Sequence, residues 1–512
     1  MRVSRLVYRS FLQGSKLLSG RSTQFTSPLA SYSRNVPGEK DFNPIKRTGN
    51  ILKNDLIRLK NEVIGIFHPG SENQQTKDID EPHKYYSWQH NCDVLIVGGG
   101  VIGSSIAFFL LENFPGAMNV TVIEKDPTYT KCATTLSCGG LRQQFSLPEN
   151  ILMSQFGAKF LRELPRRCGI EGMDPPDVQF HPQGYLFLAT ESGAEQLTLN
   201  HDVQMDLGVK NVLLTKEQLQ KRFPWLNTED IELGCLGLEN EGWFDPWTLL
   251  NALRSKAIAL GAHYVQGEGV GFEFTEMPDV IISGDDSGLP YNRVNKLVVR
   301  LETGEERKVT FSNCVIACGP SSGHIAELAN VGSGPGMLAF PLPVEPRKRY
   351  VFNVHCPKGP GIDLPFVIDP TGTYVRREGY GGNYICGRSP HEGEPEPSTA
   401  NFDVDHDFFD QCVWPHLAHR IPAMQELKVK SSWAGHYDYN TFDQNAILGP
   451  HPYHHNLYFA TGFSGHGLQQ APAVGQAIME MMVEGQLTTM DLSRFTFDRI
   501  LVGHKVLESN IV

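Results

Sequence analysis

Apolar positions along the chain change period several times, and the changes mark out its elements. Val94-Leu95-Ile96-Val97 is an unbroken apolar run rich in β-branched residues, the pattern of a strand buried on both faces. It enters Gly98-Gly99-Gly100, and SSIAFFLLENF then reads as a helix. A second apolar strand, NVTVIE, ends in Glu124. Much later NCVIACGPSSG and NLYFATGFSGHGLQQAPAVGQAIMEMM again run from strand into a glycine turn, the second followed by a helix in which Pro472 suits the start. Between them FHPQGYLFLAT, GCLGLENEGWFD and RKRYVFNVHC alternate as strands of an antiparallel sheet do, and TYVRREGYGGNYICGRS adds two short strands. DPWTLLNALRSKAIALGA is a helix with Asp245 as its cap and Pro246 in its first position.

Composition changes this picture mainly at the N-terminus. Residues 1–38 contain Arg2, Arg5, Arg9, Lys16, Arg21 and Arg34 and no acid, with many serines and no continuous apolar core. That is the composition of a mitochondrial transit peptide, which predicts a mitochondrial protein. Residues 39–91 read as a polar linker that admits one amphipathic helix in NPIKRTGNILKNDLIRLKNEVIGIF. The remaining chain, at 512 residues in all with 40% hydrophobic and 20% charged residues, is that of a globular protein of two or three domains. A net charge of -12 argues against nucleic acid as a partner. The ten cysteines show no CxxC spacing, and the histidines of HPYHHN sit in a proline-rich turn, expected to be solvated, without carboxylate or thiol support. No metal site is expected. Three glycines interrupt the apolar stretch from Val94 to Leu111, which argues against a transmembrane helix there.

The glycine turn carries the first chemistry. Gly98, Gly100 and Gly103 fit G-x-G-x-x-G, with Val101 and Ile102 opening the helix. The first glycine permits the turn, the second lets backbone approach a pyrophosphate, and the third lets helix and strand pack closely. The diphosphate sits on the helix N-terminus, where amides and dipole favour negative charge. Glu124 lies about twenty residues beyond, where a carboxylate accepts hydrogen bonds from a ribose. No second such unit occurs, so no separate nicotinamide domain is expected.

With these pieces in order, the chain resembles the D-amino-acid oxidase/sarcosine oxidase superfamily of FAD-dependent amine oxidoreductases, from roughly Asp93 to the C-terminus. The resemblance implies an α/β plus α+β fold: a Rossmann-type doubly wound FAD-binding domain (92–177, 244–338 and 430–490), an antiparallel-sheet substrate domain (178–243 and 339–429) and a tail (491–512). It implies FAD contacts from Thr134, Thr135, Ser137, Gly139, Gly140 and Leu141 within CATTLSCGGLRQQF, and from Gly319. It also implies contacts from Gly462, Phe463, Ser464, Gly465, His466, Gly467 and Gln469 around the flavin ring. Family members move hydride from a C–H bond beside nitrogen to the flavin, and a carboxylate substrate asks for a bidentate arginine. Arg142 matches a family position used for this; Tyr374, Arg376 and Arg377 on a nearby strand are further candidates for the catalytic site.

Several positions depart from the family. Gln469 stands where some relatives carry a carboxylate-binding lysine, and Ser137 where others attach flavin through histidine. His436 falls near a position that attaches flavin through cysteine elsewhere, so FAD is expected to be non-covalent, with His436 the residue to check. Ile385 matches a lysine that activates oxygen in monomeric sarcosine oxidases, which favours a dehydrogenase over an oxidase. The run YDYNTFDQNAILGPHP with the tail DLSRFTFDRI is similar to a mitochondrial branch of the superfamily that assists assembly of respiratory complex I. That resemblance implies complex I subunits or assembly intermediates as partners, at the matrix side of the inner membrane, without a transmembrane helix. A dedicated secondary-amine dehydrogenase with no assembly role is the alternative.

Overall fold

The computed structural model describes residues 88–509, apart from 286, 287 and 392. The chain divides into two units, Met1–Pro82 and His83–Val512. The proposed leader and the helix of the linker lie outside the described residues, and everything below concerns the second unit.

Two eight-stranded sheets organise it. The first runs β17 (Ile447–Pro450), β18 (Leu457–Thr461), β11 (Glu306–Ile316), β1 (Asn91–Val97), β2 (Val120–Glu124) and β8 (His263–Gln266). Its central strands β18, β11, β1, β2 and β8 are parallel, with β1 registering Ile96 on Val315 and on Val122. Strands β9 (Glu268–Met277) and β10 (Tyr291–Arg300) join β11 as an antiparallel ribbon.

Alternation along β1 explains why both faces are apolar. Val94 and Ile96 pack with Val120 and Val122 under four helices: α1 (Val101–Asn113), α2 (Pro148–Arg167), α3 (Pro246–Ala259) and α4 (Gly467–Met479). Leu95 and Val97 point the other way and meet Val294, Leu297 and Val299 of the ribbon, with Ile325 and Ala326 of a short helix alongside. The α1 sequence needs no polar face because it is covered all round; every residue from Val101 to Leu111 except Ile102 is buried. Asp245 caps α3 through the amides of Trp247 and Thr248, with Pro246 at the first position as the sequence predicts.

The second sheet runs β16 (Lys428–Asn440), β12 (Val344–His355), β15 (Asn383–Gly387), β14 (Tyr374–Glu378), β13 (Phe366–Ile368), β4 (Tyr185–Ala189), β6 (Leu233–Gly237) and β5 (Asn211–Thr215). It is antiparallel except where β13 pairs parallel to β4. A two-stranded piece, β3 (Gly140–Leu141) with β7 (Gly242–Trp243), completes the strands.

Two expectations need correction. Pro472 does not start its helix: α4 begins at Gly467 and holds Pro472 inside, where a proline cannot give its amide to the Leu468 carbonyl. His451 and His454 are not solvated but fully buried. The His451 Nδ1 accepts from the amides of Tyr453 and His454, and burial pushes both rings toward the neutral form, to about 3 and about 4. The tail packs on the fold: Leu492, Phe495 and Phe497 are buried, and Arg499 grips Asp443 at 2.7 Å and 3.0 Å. All ten cysteines are free thiols. Among the described residues no helix is long and apolar enough to cross a membrane, and no cluster of side chains suits a metal ion.

Candidate active site

A cavity of about 1110 Å³ runs from the end of β1 to the face of the second sheet, large enough for a dinucleotide and a small substrate. At its first end the glycine turn behaves as its spacing predicts, though for more specific reasons. Gly98 adopts φ +101°, and a Cβ there would lie 2.3 Å from the Ala317 carbonyl oxygen at the end of β11. A Cβ on Gly103 would lie 1.9 Å from the Gly98 oxygen, so strand and helix meet backbone to backbone. Gly100 is different: a Cβ there would meet only Cys132 Sγ and Thr134 Oγ1, at 3.5 and 3.6 Å, and Gly100 itself lines the cavity.

The α1 N-terminus has no side-chain cap and no acid in its first turn, so its positive end serves the cavity. Thr134 steadies it, accepting from the Val101 amide at 3.2 Å. Glu124 accepts from the amides of Gly99 at 2.7 Å and Asp126 at 2.8 Å and lines the cavity beside them. Burial pushes its carboxyl above the ordinary range, against those two amides, which favour the charged form. Val101, Ile102, Ser137, Gly140 and Gly319 also line the cavity. Gly103, Thr135, Gly139, Leu141 and Gly462 do not. Thr135 turns its hydroxyl to the Tyr129 carbonyl at 2.6 Å, Leu141 is buried in the helix-side core, and Gly139 passes against the Phe244 carbonyl.

At the far end the turn after β18 folds around a residue absent from the sequence reading. Asp438 Oδ2 accepts from the amides of Gly462 at 2.7 Å and Phe463 at 3.0 Å, while its main-chain oxygen accepts from the Ser464 amide. Ser464 takes φ +50° and accepts the Asn440 amide on its hydroxyl at 3.0 Å. Phe463, Ser464, Gly465, His466, Gly467 and Gln469 line the cavity, and α4 starts there, uncapped and without an acid in its first turn.

Arg142 stands between the two ends. It is 5% exposed and lines the cavity, with its guanidinium carbon 4.3 Å from the Phe145 ring centre and 5.1 Å from that of Phe187. Its Nη1 donates to the Gln144 carbonyl at 3.2 Å and its Nη2 to His466 Nε2 at 2.9 Å. Arginine cannot accept, so His466 is the neutral Nδ1–H tautomer, and burial beside that cation pushes its pKa down to about 3. Gln469 lines the cavity and accepts the Arg142 amide on its Oε1 at 2.7 Å, which fixes the segment. Glu241, also absent from the sequence reading, accepts from the Gln143 amide at 2.7 Å and Gln144 Nε2 at 2.8 Å; burial pushes it up to about 7.

The wall facing Arg142 is aromatic. Tyr185 stacks on Phe366 at 4.3 Å, and Tyr374 lies 5.8 Å from Phe366 and 3.2 Å from Cys138 Sγ through its hydroxyl. Arg376 and Arg377 do not join this site as ligands. Arg376 donates to the Cys138 carbonyl at 2.7 Å and pairs with Glu378; Arg377 points to the other face and donates to the carbonyls of Gly379, Pro360 and Tyr380. Ile385 is buried and is not among the residues that line the cavity. His436 does line the cavity, stacked on Phe402 at 4.2 Å.

Comparison with known proteins decides what the cavity holds. The model of the family described as "FAD dependent oxidoreductase" (DAO) matches residues 93–481. The chain belongs to this family. Its relatives include "FAD-dependent oxidoreductase domain-containing protein 1" of Xenopus laevis, 52% identical over 90% of this chain and 92% of that protein. The Drosophila melanogaster homolog is 46% identical over 92% of this chain and 93% of that protein. Glycine oxidase of Geobacillus kaustophilus is 26% identical over 80% and 97%. Among solved structures, L-proline dehydrogenase from P. horikoshii superposes with a TM-score of 0.66 at 24% identity, covering 82% of this chain and all (100%) of that one.

FAD is therefore the cofactor, and the residues fit it. The open Gly100, the uncapped α1 and Glu124 would hold its diphosphate and ribose; the turn after β18 and the start of α4 would hold the ring system. Bound FAD supplies the hydride acceptor. The protein supplies orientation, exclusion of water by Tyr185, Phe366 and Tyr374, and a buried cation in Arg142.

Proposed function

We propose that this mitochondrial protein oxidises small amino acids or their N-alkyl derivatives at the C–N bond, using non-covalent FAD, and that it also supports assembly of respiratory complex I at the matrix side of the inner membrane. Arg142 carries the chemical half of this reading. It is a buried guanidinium on the wall of a cavity that Tyr185, Phe366 and Tyr374 also line, aromatic rings of the kind that suit an alkylammonium. A carboxylate that replaced His466 as its partner would be held by charge-assisted bonds in a dry site, with its amine carried toward the flavin end. The relatives named glycine oxidase and L-proline dehydrogenase act on such molecules. The assembly half rests on the basic, acid-free leader and on the likeness of the C-terminal run from Tyr437 to the assembly-assisting branch.

The Arg142→Met variant separates the halves. It is expected to keep FAD, to lose at least a hundredfold in kcat/KM for any carboxylate-bearing amine, and to restore complex I in cells lacking the protein. Loss of complex I rescue by a folded, flavin-loaded variant would overturn the separation and tie assembly to turnover. Unchanged kinetics would remove Arg142 from the substrate site.

A further inference from the structure

Asp438 is 8% exposed, lines the cavity, and is bonded through one oxygen to the two amides that open the turn after β18. The Thr461 hydroxyl lies 3.5 Å from the same oxygen, and among the described residues no lysine or arginine pairs with the carboxylate. Cations are near in sequence space but engaged elsewhere. On the partner strand β12, where Pro346 lies opposite Asp438, Arg347 pairs with Glu345, Lys348 donates to Asn401, and Arg349 pairs with Glu396. A buried carboxylate without a counter-ion opposes stability, and burial accordingly raises its pKa to about 6. Such groups persist at functional sites, where the charge itself is used.

We propose that Asp438 is a redox-tuning residue: its carboxylate sets a fixed negative charge in the cavity wall at the 462–467 turn and holds the reduction potential of the bound FAD low. Reduction adds electrons to the ring system, and a nearby carboxylate without a counter-ion opposes their arrival. The uncapped N-terminus of α4 acts in the opposite sense from the same turn. The inference rests on FAD occupying this cavity and not on the identity of the substrate.

The test is the potential of the full-length, FAD-loaded protein, read at pH 8 by slow reduction against a reference dye. Asp438→Asn keeps an oxygen for the amides of Gly462 and Phe463 but removes the charge. The expected result is a shift to more positive potential, with the reduced-to-oxidised ratio at fixed dye potential raised at least tenfold, or about 30 mV for a two-electron couple. Flavin content should be retained and the melting temperature should not fall. An unchanged potential in a loaded variant would overturn the proposal. Asp438→Ser is the second neutral variant, and either one is sufficient. If neither holds FAD while wild type does, the carboxylate only shapes the turn and the proposal falls. A wild-type protein that is itself colourless would instead strike the cofactor assignment.

Discussion

Replacing two glycines of one turn by alanine should separate folding from cofactor binding. At Gly103 the new methyl carbon would sit 1.9 Å from the Gly98 oxygen and 3.1 Å from Ile96 Cγ2. A carbon and a carbonyl oxygen need roughly 3.2 Å, so α1 must move away from β1 by more than about 1 Å, since the close contact is backbone and cannot rotate aside. Overpacking of this kind costs about 1–3 kcal/mol and more where backbone must shift, so Gly103→Ala should sit at or above the top of that range. The shift also displaces the amides at the start of α1, and FAD binding should fail with it. Gly100→Ala should behave differently. Its methyl would meet ordinary contacts at 3.5 Å and 3.6 Å in the empty protein, yet would project into the diphosphate cradle. Urea titration of the flavin-free proteins gives the folding difference, and flavin fluorescence quenching gives the affinity. Expected are a destabilised Gly103→Ala and a Gly100→Ala as stable as wild type, both at least a hundredfold weaker for FAD. A Gly103→Ala apoprotein as stable as wild type, or a Gly100→Ala that binds FAD normally, would refute the assignment of separate duties.

Two further outcomes follow from buried charges. Glu241 is raised from 4.5 to about 7 in the folded protein, so the native state binds more protons than the unfolded state in that interval. The stabilisation is complete below pH 4.5 and is lost as pH rises through 7, a change of up to about 3 kcal/mol; urea midpoints between pH 5 and 8 should fall more steeply for wild type than for Glu241→Gln, and parallel curves would contradict this. Arg499→Ala leaves Asp443 buried and unpaired. Breaking such a pair costs about 3–5 kcal/mol, so the variant should unfold at markedly lower urea, and a loss under about 1 kcal/mol would show that the tail contributes little to the fold.

The parts legible in the sequence were those whose physics is local. The strand, glycine turn, helix, strand and acid from Val94 to Glu124 is a single contiguous unit, and Gly98 and Gly103 meet backbone too closely for any side chain. Asp245 and Pro246 announced α3 in the same way. What failed depended on distant partners. Glu241 lies among other polar residues in GLENEGW, and its importance comes from amides 97 and 98 residues away. Asp438 gains its place from a turn 24 and 25 residues on. Arg376 and Arg377 looked alike as candidate ligands, but neighbours on a strand face opposite sides, and both turned to carbonyls that secondary structure had left unpaired. The histidines of HPYHHN looked solvated because proline and histidine are turn residues; His455 is exposed, but His451 is buried against Phe459 and Phe497, the latter carried by the tail, and His454 against Phe274 and Tyr453.

On the proposed function, Arg142 would hold the amine's carboxylate and bound FAD would supply the hydride acceptor. The most direct measurement is the visible spectrum of the flavin-loaded protein, mixed without oxygen with sarcosine, glycine and proline in turn. The account predicts that at least one bleaches the oxidised flavin band in wild type and none does so in Arg142→Met. It also predicts that acid precipitation releases the flavin to the supernatant. A flavin that no carboxylate-bearing amine reduces, in a protein that dithionite reduces readily, would contradict the claim.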